Sequence, residues 1–271
     1  MNKLYCGNNI DVLKTIPDDS INMVLTSPPY DSIRTFKGFP VIDRAYRIAL
    51  GHELMRIAKE GSVFLLNVQD QTTNRKKSGT SFRWAIEMMD ECGWNLFETC
   101  IYARQGSPGG WWNKRFRVDH EYLMLFFKGK EPSYFNKTHM KVPTKNAGKL
   151  ITVGGNRKSD GSIRAIKKSF MCKETQCPGT ILKYKKSSRE GNNLKITHPG
   201  TFPDKLASDF IRCFTQENEV VLDPFLGSGT TCVVAKQLGR KYIGIDCCQE
   251  YIDLAQKRID IETVDCFTAT D

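Results

Sequence analysis

The chain alternates short apolar runs with stretches whose apolar residues recur every three to four positions, and this alternation restricts its fold more than any single motif does. Lys3 to Cys6, Ile21 to Leu25, Val63 to Val68, Asn95 to Tyr102, Tyr122 to Phe127, Glu219 to Leu222 and Lys241 to Ile245 read as strands. Helical spacing marks Asn9 to Thr15, Ala45 to Glu60, Phe82 to Glu91, Pro203 to Gln216, Gly229 to Leu238 and Glu250 to Ile261. Gly61 and Gly93 are placed to end the second and third of these helices, and Pro203 to begin the fourth. Strands with almost no polar alternation must be covered on both faces. The pattern therefore predicts an α/β fold, a doubly wound, mostly parallel sheet with helices on both faces.

The alternation stops in the middle. From about Asn136 to Lys195 no helical or strand period persists, and the segment is rich in Lys, Arg, Ser, Gly and Asn. The predicted organisation is one α/β domain in two halves, 1–135 and 198–261, separated by an irregular insertion, 136–197, and followed by a tail, 262–271, with no visible role. The net charge of +10 has the same origin, because residues 104 to 200 hold 21 Lys or Arg against 6 Asp or Glu and the rest of the chain is net acidic. An excess confined to one segment predicts a phosphate-contacting surface. Candidate contacts are Lys114, Arg115 and Arg117, beside Trp111 and Trp112, and Lys183, Lys185 and Lys186; a solvated face is the bland alternative for each isolated cluster. No apolar run is long enough to span a membrane, the N-terminus lacks a signal-peptide core, and the ten cysteines never form a paired CxxC set. These features predict a reduced, cytoplasmic protein without a metal site, with Cys172 and Cys177 the one pair to weigh as ligands.

Two turns carry chemistry. The run Ile21 to Leu25 stops at Thr26-Ser27-Pro28-Pro29-Tyr30, where two prolines without N–H groups end any hydrogen-bond ladder. The turn presents a hydroxyl at Ser27, carbonyls at Ser27 and Pro28 and an aromatic face at Tyr30, a set suited to a flat ring bearing an amino group. A nucleobase is the obvious candidate. At the other end of the chain, Asp223-Pro224-Phe225-Leu226-Gly227-Ser228-Gly229-Thr230-Thr231 joins a strand to a helix. Its glycines let backbone approach a ligand, and the helix start offers free N–H groups. Asp246 closes the next strand, where a carboxylate can accept ribose hydroxyls. The turn is neither the dinucleotide fingerprint nor a P-loop.

Together these motifs resemble the amino-type DNA methyltransferases, in the permuted order in which Ser-Pro-Pro-Tyr precedes the cofactor turn. The resemblance covers Leu4 to Tyr30, Gly61 to Asp70, Asp119 to Asn136 and His198 to Ala255. It implies S-adenosylmethionine as cofactor, held by Asp223, Pro224, Phe225, Gly227, Ser228, Gly229 and Thr230, with Asp246 at the ribose. Thr26 and the His198-Pro-Gly-Thr201-Phe202 stretch would line the pocket. Asn8 stands where the family usually has Asp against the adenine, and Asp246 where Glu is more common. Ser27, Pro28, Pro29 and Tyr30 become the catalytic set, the basic segment the target-recognition region, and double-stranded DNA the partner of a monomer or homodimer. Ser at position 27 favours cytosine-N4 over adenine-N6 as the acceptor. An RNA methyltransferase and a non-catalytic nucleic-acid-binding module are the competing readings.

Overall fold

The computed structural model describes residues 2–30, 42–105, 114, 116–153, 156–164, 168–185 and 202–262. Arg115, Lys186, Thr201, Trp111, Trp112 and the tail beyond Glu262 lie outside the described residues.

Two compact units emerge, one of residues 1–136 with 180–271 and one of residues 137–179. The larger is built on a sheet of eight strands: β1 (Asn2–Cys6), β2 (Ile21–Thr26), β3 (Ala58–Val68), β4 (Asn95–Gln105), β5 (His120–Phe127), β6 (Ile181–Lys185), β7 (Val220–Asp223) and β8 (Lys241–Asp246). Its order is β1-β8-β7-β2-β3-β5-β4-β6. Only β5 runs antiparallel to its neighbours; β1, β8, β7, β2 and β3 pair in parallel, and so do β4 and β6. The helices are α1 (Asn9–Leu13), α2 (Arg44–Ile57), α3 (Thr80–Asp90), α4 (Asp204–Phe214), α5 (Thr230–Gln237) and α6 (Gln249–Glu262). From β2 the chain winds through α2 to β3, and from β7 through α5 to β8 on the other side. The order of winding thus reverses between β2 and β7, and the carboxyl ends of those strands border the crevice where such sheets bind ligands.

The central strands are apolar because both faces are covered. Ile21, Met23, Val24 and Leu25 of β2 are completely buried, as are Phe64, Leu65 and Leu66 of β3. Phe64 packs edge-on against Trp94 at 5.4 Å and beside Phe126 at 5.6 Å. The indole N–H of Trp94 donates to the Gly51 carbonyl at 3.2 Å. Arg47 and Glu87 join α2 to α3 as a buried bidentate pair, with contacts of 2.6 and 2.8 Å.

Two expectations need correction. Helix α2 ends at Ile57, and Ala58 already pairs with Ile21 in the sheet. Gly61, expected to stop the helix, instead lies in a bulge of β3, with φ of +74°, where the register jumps from Ile21–Ala58 to Met23–Val63. A Cβ there would meet the Ser133 backbone at 2.6 Å. The expected insertion, 136–197, is also interrupted. Residues 137–179 form the second unit, whereas Ile181–Lys185 adds an edge strand to the large sheet. Leu182 and Tyr184 point inward and Ile181, Lys183 and Lys185 outward. A five-residue edge strand set among lysines offers too little alternation to be read from sequence. The second unit consists of short antiparallel pairs, chiefly Leu150–Val153 with Lys168–Met171, beside Val142–Pro143 with Thr175–Gln176 and Asn156–Arg157 with Ile163–Arg164.

Candidate active site

Thr26, the last residue of β2, and Asp223, the last of β7, meet at the reversal point. The buried Thr26 hydroxyl donates to Asp223 Oδ1 at 2.6 Å. Thr231 Oγ1 donates to Oδ2 at 2.7 Å, and the Phe225 N–H reaches Oδ1 at 3.0 Å. Burial pushes the Asp223 carboxyl up from 3.8 to about 6, against the pull of these three donors and with a smaller push from Asp246. Asp223 thus spends its oxygens tying the two turns together. Asp223, expected from the resemblance to hold the cofactor, is also the clamp that shapes the glycine-rich turn.

The glycine-rich turn is fixed from several sides. Gly227 and Gly229 have φ of +51° and +84°, backbone conformations that side chains rarely adopt. A Cβ on Gly229 would also stand 2.7 Å from the Cβ of Ala255 in α6. Asp246 accepts the Gly227 N–H and the Cys248 N–H, each at 2.9 Å. Burial raises its carboxyl above the ordinary range, opposed by these backbone donors. Asn9 Nδ2 donates to the Pro224 carbonyl at 3.1 Å, while Asn8 is an exposed helix cap whose side chain accepts the Ile10 N–H. Arg258, wholly buried in α6, donates to the Ser228 carbonyl at 2.7 Å and lies 3.2 Å from Thr230 Oγ1. Pro224, Phe225, Gly227, Ser228, Gly229 and Thr230 are all buried, and Phe202 is half-buried ahead of α4. Asp246 accepts backbone N–H groups on both oxygens, with Cys247 a third donor beside Gly227 and Cys248, and the roughly four lone-pair sites of a carboxylate leave capacity for a ribose hydroxyl. The donor set of this turn therefore fits the nucleoside cofactor expected from the resemblance.

The Ser-Pro-Pro-Tyr turn continues from Thr26. Pro28 is buried, and Ser27, Pro29 and Tyr30 are half-buried. The Tyr30 hydroxyl is 3.0 Å from Ser27 Oγ and donates to Glu121 Oε2 at 2.9 Å. Burial first, and Glu121 second, hold the phenol well above the usual tyrosine range. Arg104 pairs with Glu121 at 3.3 Å. A pocket beside the turn is lined by Pro29, Tyr30, Val68, Gln69, Ser81 and Trp84, among others.

Of the predicted set, the structure brings together Thr26 to Tyr30, Asp223 to Thr230 and Asp246. Lys114, Arg117, Lys183 and Lys185 are exposed, the last two on edge strand β6. Among the described residues no group of three His, Cys, Asp or Glu is placed to hold a metal, and no helix is long and apolar enough to cross a membrane. Sequence reasoning missed Asn9, Glu121 and Arg258, and included Thr231 only as the last residue of the glycine-rich turn. Glu121 did leave a signal, as the one acid on the otherwise apolar strand β5, whereas Arg258 lies among the other charges of α6.

A family model described as DNA methylase matches residues 21–257. The orphan methyltransferase M.BamHII of Bacillus amyloliquefaciens is 34% identical over 248 residues, which cover 91% of each chain. The Type II methyltransferase M.PvuII of Proteus hauseri is 28% identical, over 92% of this chain and 81% of its own. Among solved structures, the PvuII DNA methyltransferase (cytosine-N4-specific) superimposes with a TM-score of 0.72 at 22% identity, over 98% of this chain and 91% of that one. The complex of M1.HpyAVI with S-adenosylmethionine gives 0.59 at 20% identity, over 96% and 100%. These structural likenesses show a shared fold.

Proposed function

Since the chain belongs to the DNA methylase family whose model spans residues 21–257, we propose that it transfers the methyl group of S-adenosylmethionine to the exocyclic amine of a base in duplex DNA, with cytosine N4 as acceptor ahead of adenine N6. The observation that carries this reading is the Thr26–Asp223 hydrogen bond. It holds the amine-binding turn and the glycine-rich turn side by side at the reversal point of the sheet. When bound, the cofactor supplies an electrophilic methyl group on a sulfonium. The turn from Asp223 to Thr231 would hold its amino-acid part, and Asp246 its ribose.

An exocyclic amine is a poor nucleophile because its lone pair is delocalised into the ring. Ser27 Oγ and the Pro28 carbonyl each accept one of its N–H bonds, which favours a pyramidal nitrogen with its lone pair exposed. Positioning and fixed dipoles supply most of the acceleration, and no covalent intermediate with the protein is needed. The base reaches this turn only after leaving the helix stack, where Tyr30 offers it an aromatic face. The basic residues between 104 and 200 supply contacts to phosphate. Serine at the acceptor position, together with a relative whose structure is named cytosine-N4-specific, supports cytosine. Relatives named Type II methyltransferases support a role in restriction and modification. The test is to incubate DNA of mixed sequence, and RNA in parallel, with the protein and labelled cofactor, then digest to nucleosides for mass spectrometry. N4-methylcytosine in the DNA arm is expected. N6-methyladenine would reassign the base, and no methylated nucleoside would remove the function.

A further inference from the structure

Strand β5 is the one antiparallel member of the sheet, so its first residues lie at the carboxyl ends of β2 and β3, beside the Ser-Pro-Pro-Tyr turn. Glu121 sits at that start, its side chain 12% exposed. It ends a chain of contacts: Ser27 Oγ to Tyr30 Oη at 3.0 Å, Tyr30 Oη to Glu121 Oε2 at 2.9 Å, and Glu121 Oε1 to Arg104 at 3.3 Å. Asn67 Oδ1 also lies 3.5 Å from the phenol, and Tyr102 is a further ionisable side chain that feels the charge of Glu121.

The direction of this chain follows from proton counting. A carboxylate has no proton to give, so the phenol donates to Glu121. That uses the only O–H of Tyr30, and the Ser27 hydroxyl must then donate to the phenol oxygen. The lone pairs of Ser27 are left facing outward as an acceptor. We propose that Glu121 is a positioning residue of the methyl transfer, which acts through Tyr30 to fix Ser27 as an acceptor and receives the proton the amine releases. The proposal rests on the functional reading above. As the new N–C bond forms, the methyl's bond to sulfur breaks with its electron pair on sulfur, and the amine nitrogen carries one proton too many. That proton passes to Ser27 Oγ, the Ser27 proton to Tyr30 Oη and the Tyr30 proton to Glu121, which ends as a neutral acid. All three hydroxyl and carboxyl groups are regenerated when Glu121 releases its proton to water.

Glu121→Gln tests the direction with almost no change of shape. Arg104 donates to the amide oxygen, the amide NH₂ then faces Tyr30, and the chain reverses: Tyr30 donates to Ser27, and the serine proton points at the substrate amine. A fall in kcat of about 100-fold is expected, with KM for DNA and calorimetric binding of S-adenosylhomocysteine unchanged. In a Tyr30→Phe background the same substitution has no further effect. An equal fall in both backgrounds, or a change in KM alone, overturns the proposal. Independently of activity, alkaline titration of tyrosine absorbance in a Tyr102→Phe background, which removes the other tyrosine that Glu121 raises, is expected to show one tyrosine ionising more readily in E121Q than in the parent, a difference absent when Tyr30 is Phe as well. No such difference overturns the chain itself, whereas a wild-type protein that methylates no nucleic acid overturns the functional reading and leaves the titration result standing. For an E121Q protein that does not fold, Glu121→Asp carries the test. A fall in kcat that disappears in the Tyr30→Phe background supports the proposal, and an equal fall in both overturns it.

Discussion

Replacing Thr26 by Val removes one hydroxyl and keeps the shape of a fully buried residue. The lost bond is to a carboxylate, and hydrogen bonds to charged groups contribute about 1.5 to 3 kcal/mol. That estimate holds only while Asp223 is ionised. Its folded value of about 6 lies above the ordinary 3.8, and this difference corresponds to about 3 kcal/mol. The folded chain therefore binds this proton more tightly than the unfolded chain does. The group's contribution to stability is fully present below 3.8 and is lost as pH rises through 6. At pH 8 the ionised carboxylate depends on Thr26, Thr231 and the Phe225 N–H. At pH 5 it is mostly protonated, and the Thr26 bond falls to the neutral range of about 0.5 to 1.5 kcal/mol. Urea unfolding of wild type and Thr26→Val at both pH values is expected to show a loss of about 1.5 to 3 kcal/mol at pH 8 and about half of that at pH 5. The same loss at both values, or a larger one at pH 5, would refute the assignment of Thr26 as a clamp on an ionised Asp223.

Ser27→Ala is expected to lower turnover about 10²- to 10³-fold while calorimetry finds S-adenosylmethionine bound as in wild type; unchanged turnover removes the proposed acceptor. Gly229→Ala meets both a φ of +84° and the Cβ of Ala255, so a loss of about 1 to 3 kcal/mol in thermal or urea unfolding is expected, together with weaker cofactor binding by calorimetry. Lys183→Ala with Lys185→Ala separates two roles for the exposed residues of β6. Phosphate contact makes the plot of log affinity for DNA against log salt shallower by about 2, whereas protection of an open sheet edge leaves that slope unchanged and increases aggregation seen by light scattering.

The strands and helices were legible because their residues answer to burial, and burial has a period. Ile21 to Leu25 could be read as a buried strand, and the two prolines marked its end without reference to any partner. The inner faces of α4 and α6 were likewise visible in Leu206, Phe210, Ile252 and Ala255. What escaped were contacts made across long sequence separations. Nothing in the local sequence shows that Asn9 rather than Asn8 reaches Pro224, because both flank the same turn and differ only in which way the first helix turns them. Asp223 was readable as an acid at a strand's end. Its partners were not, since Thr26 lies 197 residues away. Gly61 misled for a related reason: a positive φ ends helices and also permits bulges, and only the pairing with β2 distinguishes the two. Glu121 was hidden inside a segment whose basic excess drew attention to the lysines, although a lone acid at the head of an apolar strand is itself informative.

The Thr26–Asp223 bond also explains why the order of the two motifs along the chain is immaterial to the chemistry. Strand β2 has β3 from its own half on one side and β7 from the distant half on the other. Without residues 220–223 the edge of β2 would stand open, exposing the backbone of a strand whose Ile21, Met23, Val24 and Leu25 are completely buried in the whole domain. Without β2, strand β7 would be exposed on the same side, and the Asp223 carboxylate would lose both the Thr26 donor and the cover that β2 gives it. Each half therefore leaves an apolar edge that the other covers, and closing that edge brings Thr26 to Asp223. Completion of the core and assembly of the site are the same event. The hydrophobic burial of β2 and β7 holds the Ser-Pro-Pro-Tyr turn against the glycine-rich turn, and a hydrogen bond of 2.6 Å ties Thr26 to Asp223.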